Sequence, residues 1–157
     1  MIKEFVNLYN TLVNLSRNKS LFSIFTDKDT FSDRILILLF HLAFFLRQHK
    51  DNTDKEYLQK FFDYFFRQVE LNIREIGYGD ASINKKMKDY INIFYSILSK
   101  INDWNNLDNV KKSEILSFYY NLKDNHLKIV NYFNNFEIYL SKTTLKSFTK
   151  GVINHKF

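Results

Sequence analysis

Apolar side chains recur at helical spacing along almost the whole chain. Phe5, Leu8, Tyr9, Leu12 and Leu15 fall on one face of a first helix. Ile35 to Leu46, ILILLFHLAFFL, is apolar on every side except at His41 and is closed off by Arg34 and Arg47. Twelve residues give about 18 Å of helix, well short of the roughly 30 Å of a bilayer core. The run therefore reads as a buried central helix, capped by Asp29 or Thr30 and ending near His49. Thr53 followed by Glu56 has the spacing of a capping box. It opens a third helix with the stripe Leu58, Phe61, Phe62, Phe65, Val69, Ile73 and Ile76. A fourth helix carries Ile83, Met87, Tyr90, Ile91, Phe94, Leu98 and Ile101. Residues 102–109, NDWNNLDN, are a polar turn. Helices over about 110–122 and 125–142 follow, then a basic tail containing Gly151. No strand alternation competes with this pattern. It predicts a single all-α domain over residues 1–157, a bundle of about six helices.

Some apolar residues lie off the main stripes. Phe66 and Leu71 flank that of the third helix, and Ile93 and Ile97 widen that of the fourth. Two arrangements produce this breadth: helices buried on two sides, or an exposed apolar groove that takes another protein's helix. The 17 Phe and 10 Tyr residues bear on the choice, because aromatic area left outside the core makes a sticky surface.

Charge adds a second asymmetry. The net charge is +6, and residues 51–102 contribute nothing to it. The last sixteen residues hold Lys142, Lys146, Lys150 and Lys156 without an acid. Such a tail is either a solvated lysine face or a contact for the phosphates of RNA or anionic lipid. The N-terminus shows neither a signal-peptide nor an Arg-rich transit pattern, so the protein is expected to stay where it is made.

Catalytic chemistry finds little support. There is no cysteine, which removes disulfides, thiolate metal sites and thiol nucleophiles. His41, His49, His126 and His155 form no pair at metal-ligand spacing. His41, set among aliphatics, reads as a hydrogen-bonded core histidine. Gly77-Tyr78-Gly79 lacks the third glycine and the preceding strand of a dinucleotide loop. Asp51 and Asp54 look like turn caps. The expectation is a non-enzyme without metal or cofactor.

One stretch stands apart: REIGYGDASINKKM, residues 74–87. The chain has no proline and only three glycines, yet two of them stand two residues apart here. Gly77 is placed to end the third helix in a left-handed conformation, and Gly79 to permit a second unusual backbone angle. Asp80 or Ser82 would cap the fourth helix. Lys85, Lys86 and Lys88 then crowd the first turns of that helix, where its dipole already favours anions. Either the corner attracts a carboxylate or phosphate, or Glu75, Asp80 and Asp89 neutralise it internally.

At this corner the chain resembles the ubiquinol–cytochrome c chaperone family, assembly factors of ubiquinol–cytochrome c reductase (respiratory complex III). The resemblance runs through Phe62-Asp63-Tyr64-Phe65-Phe66, Leu71 to Asp80, Ile83 to Lys88 and Phe94-Tyr95. Its core is Arg-Glu-x-Gly-x-Gly-Asp followed by two lysines. In layout it extends over about residues 30–152, with His41, Arg47 and Lys150-Gly151 as looser matches. Ser96-Ile97-Leu98 departs from the small residue and arginine usual after the Phe-Tyr pair. The resemblance implies a bacterial assembly chaperone that binds newly made cytochrome b during membrane insertion and haem loading. It places the protein in the bacterial cytoplasm, peripheral at the cytoplasmic face of the inner membrane. Arg74, Glu75, Gly77, Gly79, Asp80, Lys85, Lys86 and Lys88 become the expected partner-binding residues. Mitochondrial relatives work with a small partner protein near the ribosome exit. Their example extends the expected partners to that membrane surface, the ribosome and a small protein, with DNA not among them. The residues also allow a basic peripheral membrane-surface or RNA-binding helical module.

Overall fold

The computed structural model describes residues 1–25, 30–122, 124–153 and 155. Among these the chain is all-α and has no strand. Its elements are α1 (Ile2–Ser16), α2 (Lys19–Phe25), α3 (Phe31–His49), α4 (Lys55–Ile76) and α5 (Asp80–Lys100). A 3-10 turn at Trp104–Asn106 leads into α6 (Asn109–Tyr119), α7 (His126–Lys142) and α8 (Leu145–Lys150). Two of these, α2 and α8, were not legible as periodicity, because about two turns repeat an apolar position too few times to define a face.

Side-chain caps set the starts of α3, α4 and α6. Thr30 caps α3 through a capping box: the Asp33 N–H donates to Thr30 Oγ1 at 3.2 Å, and the Thr30 N–H donates to Asp33 Oδ2 at 3.4 Å. The alternative cap, Asp29, lies outside the described residues. At α4 the expected Thr53–Glu56 box does not form. Asp54 is the cap, and its carboxylate accepts from the Glu56 N–H at 3.3 Å. A carboxylate adjacent to the first turn has the helix dipole on its side, which a hydroxyl one residue earlier lacks. Asp108 caps α6, accepting from the Lys111 N–H at 2.9 Å. That helix stops at Tyr119 rather than 122, because Tyr120 turns extended (φ −130°, ψ 145°). The turn lets Tyr120 and Leu122 bury themselves.

The expected central helix is central. Ile37 to Phe45 of α3 is buried without a break, with α1, α5 and α7 packed around it. Phe44 stacks on Phe133 of α7 at 5.0 Å and meets Trp104 edge-on at 5.1 Å. Each such fully buried ring contributes about 1.5–3 kcal/mol of burial free energy. His41 is fully buried among them and is satisfied on both ring nitrogens, by the Ile37 carbonyl at 2.7 Å and Tyr132 OH at 2.6 Å. Burial disfavours its charged form and lowers its pKa to about 4, the Ile37 bond opposing only in part. Outside α3, the helices pair as α1 with α8, α6 with α7 and α4 with α5.

Candidate functional site

The α4–α5 hairpin holds both features that sequence patterning singled out. Phe61, Phe65, Val69 and Ile73 of α4 are buried toward the body, where Phe5 approaches Phe61 at 5.6 Å and Tyr9 approaches Phe65 at 5.5 Å. One residue on, Phe62 and Phe66 turn toward α5 and meet Phe94 at 5.5 and 5.8 Å. A second apolar face is thus used inside the hairpin, and it accounts for the off-stripe Phe66; Ile97, off the stripe of α5, is buried as well. Leu71 is not covered in this way and stays 37% exposed.

Toward the open end of the hairpin the two helices no longer cover each other. A groove of about 560 Å³ opens there, floored by Leu46, Leu58, Phe62, Phe94, Tyr95 and Leu98. Tyr95 is 54% exposed although its ring lies 5.9 Å from that of Phe62. Lys50, Lys55, Gln59, Ser99 and Asn102 form the polar margin. One end is held in place by α3: Lys50 Nζ donates to Asn102 Oδ1 and Arg47 Nε to the Asn102 carbonyl, each at 3.1 Å. Arg47 is in turn 3.9 Å from Glu137 of α7, and both are mostly covered. Leu58, Phe62, Phe94 and Leu98 were visible in the sequence as stripe residues. Leu46, Lys50 and Lys55 were not connected with them, since the groove joins the end of α3 to the hairpin. The early appearance of two apolar faces on α4 was the available signal.

The glycine corner lies at the other end of the hairpin, roughly 20 Å along α4 from Phe62. Gly77 ends α4 as expected, with φ +99°, ψ 18° and its N–H donating to the Arg74 carbonyl at 3.0 Å. Gly79 departs from expectation. It is the N-cap of α5 with φ −70° and ψ 159°, angles open to any residue. Neither Asp80 nor Ser82 caps the helix. Asp80 is its first residue, and its carboxylate pairs with Arg74 Nη1 at 2.9 Å across the turn. Arg74 also reaches Glu70 at 3.5 Å, and the Asp80 hydrogen bond leads in keeping its guanidinium more basic than usual.

Of the corner residues the structure brings Arg74 and Asp80 together, and the lysines stand outside that pair. Lys85 and Lys88 are exposed on the outer side of α5. Lys86 is half-buried, with Nζ 4.5 Å from the centre of the Tyr78 ring. It lines a pocket of about 310 Å³ with Asp33, Asp89 and Tyr90. Lys85, Lys86 and Lys88 occupy the second and third turns of α5, beyond the reach of the helix-end dipole, and the first turn holds the anion Asp80. The dipole argument for a converging anion site therefore fails. Glu75 is exposed and faces a different pocket, shared with Arg17 and Asn72.

Among the described residues no group of three or more His, Cys, Asp or Glu side chains is placed to hold a metal ion. No helix among them is long and apolar enough to cross a membrane. The arrangement supports binding of an apolar segment beside cationic margins.

Comparison with known proteins adds three findings. The family described as ubiquinol-cytochrome C chaperone matches residues 23–103, which span α3, α4, α5 and the groove between them. By sequence, no curated protein matches. By structure, the chain is similar to the crystal structure of the Cbp3 homologue from Brucella abortus. The TM-score is 0.77 at 21% identity, over 98% of this chain and 89% of that one. At that identity the likeness concerns the fold.

Proposed function

The chain belongs to the ubiquinol–cytochrome c chaperone family, and from that premise we propose that it holds newly made cytochrome b while complex III is assembled, during membrane insertion and haem loading. The observation that carries this reading is the open apolar groove between α4 and α5, inside the segment matched by the family. A nascent membrane protein presents apolar helix surface that must be kept from aggregating, and a groove whose accessible lining is Leu58, Phe62, Tyr95 and Leu98 offers complementary area without enclosing the client. Holding requires no catalysis. Arg74, Glu75, Gly77, Gly79, Asp80, Lys85, Lys86 and Lys88 form a second, polar contact on the same hairpin, with the exposed Lys85 and Lys88 meeting acidic loops of the client. Residues 1–157 act as a single helical domain, stationed at the cytoplasmic face of a bacterial inner membrane. The ribosome and a small protein are further partners.

Affinity capture from detergent-solubilised membranes tests the reading. Wild type is expected to retain cytochrome b, and Leu58→Glu with Tyr95→Glu to lose it at an unchanged melting temperature. Lys85→Glu with Lys86→Glu is expected to weaken retention and reduce its salt dependence, since screened charges carry that contact. Capture of nucleic acid in place of cytochrome b, or of neither, overturns the proposal. Retention by the Lys85/Lys86 variant at wild-type strength removes the corner from the site and leaves the groove. The acid-free basic segment after Ile138 favours a second reading, a module for a membrane surface or RNA.

A further inference from the structure

The edge formed by α8 and the outer side of α1, at Ile2, Lys3 and Val6, lines neither the groove nor the pocket beside Glu75. There, α8 and the residues after it run alongside α1 in the same direction. Asn7 Nδ2 donates to the Thr149 carbonyl at 2.7 Å, and four residues later the Ile153 N–H donates to Thr11 Oγ1 at 3.0 Å. With Phe5, Leu8, Leu12 and Leu15 buried, the helical repeat puts Ile2, Lys3, Val6 and Asn10 on the far side of α1. Ile2 is 74% and Val6 36% exposed, and Val152, just beyond α8, is 43% exposed. Lys3, Lys146 and Lys150 are exposed as well. Acid is nearly absent from this edge. None occurs after Glu137, and the one acid of α1, Glu4, accepts a hydrogen bond from Tyr57 OH at 3.1 Å.

We propose that this edge is a docking face for an anionic phospholipid surface. Ile2, Val6 and Val152 reach the boundary between headgroups and acyl chains, while Lys3, Lys146 and Lys150 sit on the phosphates. Exposed aliphatics bordered by three lysines, against Glu4 as the one acid of α1 and α8, match what an anionic bilayer interface binds. RNA is the poorer fit, because single-stranded bases are held by stacking on aromatic rings and these exposed side chains are aliphatic. The inference rests on the membrane-surface part of the function proposed above and is independent of the client in the groove. It also gives the geometry a use: a chaperone seated on α1 and α8 keeps the α4–α5 groove free.

Vesicle flotation of the full chain tests it, with phosphatidylcholine vesicles set against vesicles that also contain phosphatidylglycerol. Wild type is expected to float with the anionic vesicles alone and to be released by salt. Lys146→Glu with Lys150→Glu should weaken partitioning at least about tenfold. Ile2→Asn with Val6→Asn should weaken it at unchanged charge. Both variants should melt like wild type, and Leu58→Glu with Tyr95→Glu should float normally. If wild type floats and both edge variants float equally well, the edge assignment is wrong and the membrane reading stands. If wild type does not float at all, both fall. If the lysine variant loses binding to polyuridylate while vesicle binding is untouched, the edge is a nucleic-acid face and the proposal is overturned.

Discussion

Gly77 and Gly79 are two residues apart and carry opposite requirements. At Gly77 a Cβ would meet open space, so a substitution there is resisted by the backbone angle of +99° alone. A non-glycine residue in the left-handed region costs about 1–2 kcal/mol. Gly77→Ala is expected to lower stability by about 1 kcal/mol and Gly77→Val by about 2 kcal/mol in denaturant titrations, the β-branched residue being the worse fit. At Gly79 a Cβ also meets open space, and the backbone is ordinary. Serine there supplies the cap oxygen that α5 lacks and shortens the list of unfolded conformations. Gly79→Ser is expected to raise stability by about 0.5 kcal/mol. Destabilisation by Gly79→Ser would restore the idea that both glycines shape the corner.

Among the helices, α8 shows how a segment that reads as a tail belongs to the core. Phe148 is fully buried, edge-on to Phe45 at 5.5 Å and 6.1 Å from the ring of His49. Truncation of such a side chain typically costs about 3–5 kcal/mol. Phe148→Ala is therefore expected to shift the urea midpoint strongly downward, whereas Lys146→Ala two residues away should leave it nearly unchanged. A Phe148→Ala midpoint equal to wild type would make α8 an appendage. On the α4–α5 hairpin the same contrast separates Phe65, sealed against α1, from Tyr95, which faces the groove. Substitution at Phe65 is expected to act on melting, and substitution at Tyr95 on client retention.

For the molecule as a whole, the buried histidines set an acid limit. His41 has a folded-state pKa of about 4 against an ordinary value of 6.5, and burial lowers that of His49 as well. The unfolded chain therefore takes up these protons first as pH falls. The stability they contribute is complete above about pH 6.5, declines on acidification and levels off below about pH 4. For His41 the full span corresponds to about 3 kcal/mol. Unfolding free energies measured across that window should fall by a few kcal/mol. In His41→Gln the slope should be reduced whatever its starting stability, and an identical slope would contradict the assignment of the buried proton site.

Periodicity by itself determined the all-α class, the central place of Ile35 to Leu46 and the course of α4 and α5, because those stripes are long enough to repeat one face several times. The residues from Phe62 to Tyr95 also carried the family resemblance, since a turn motif is local in the chain. Tertiary structure decided the rest. The cap of α4 went to Asp54 because two candidate acceptors competed for the same N–H groups. Asp80 went to Arg74 because Gly77 folded the chain back on itself. The groove depended on where α4 and α5 stop covering each other and on the end of α3 arriving beside them. Of the lysines that crowd together in the sequence, Lys86 turns away from Lys85 and Lys88 on α5, because adjacent residues along a helix point about 100° apart while those three apart share a face.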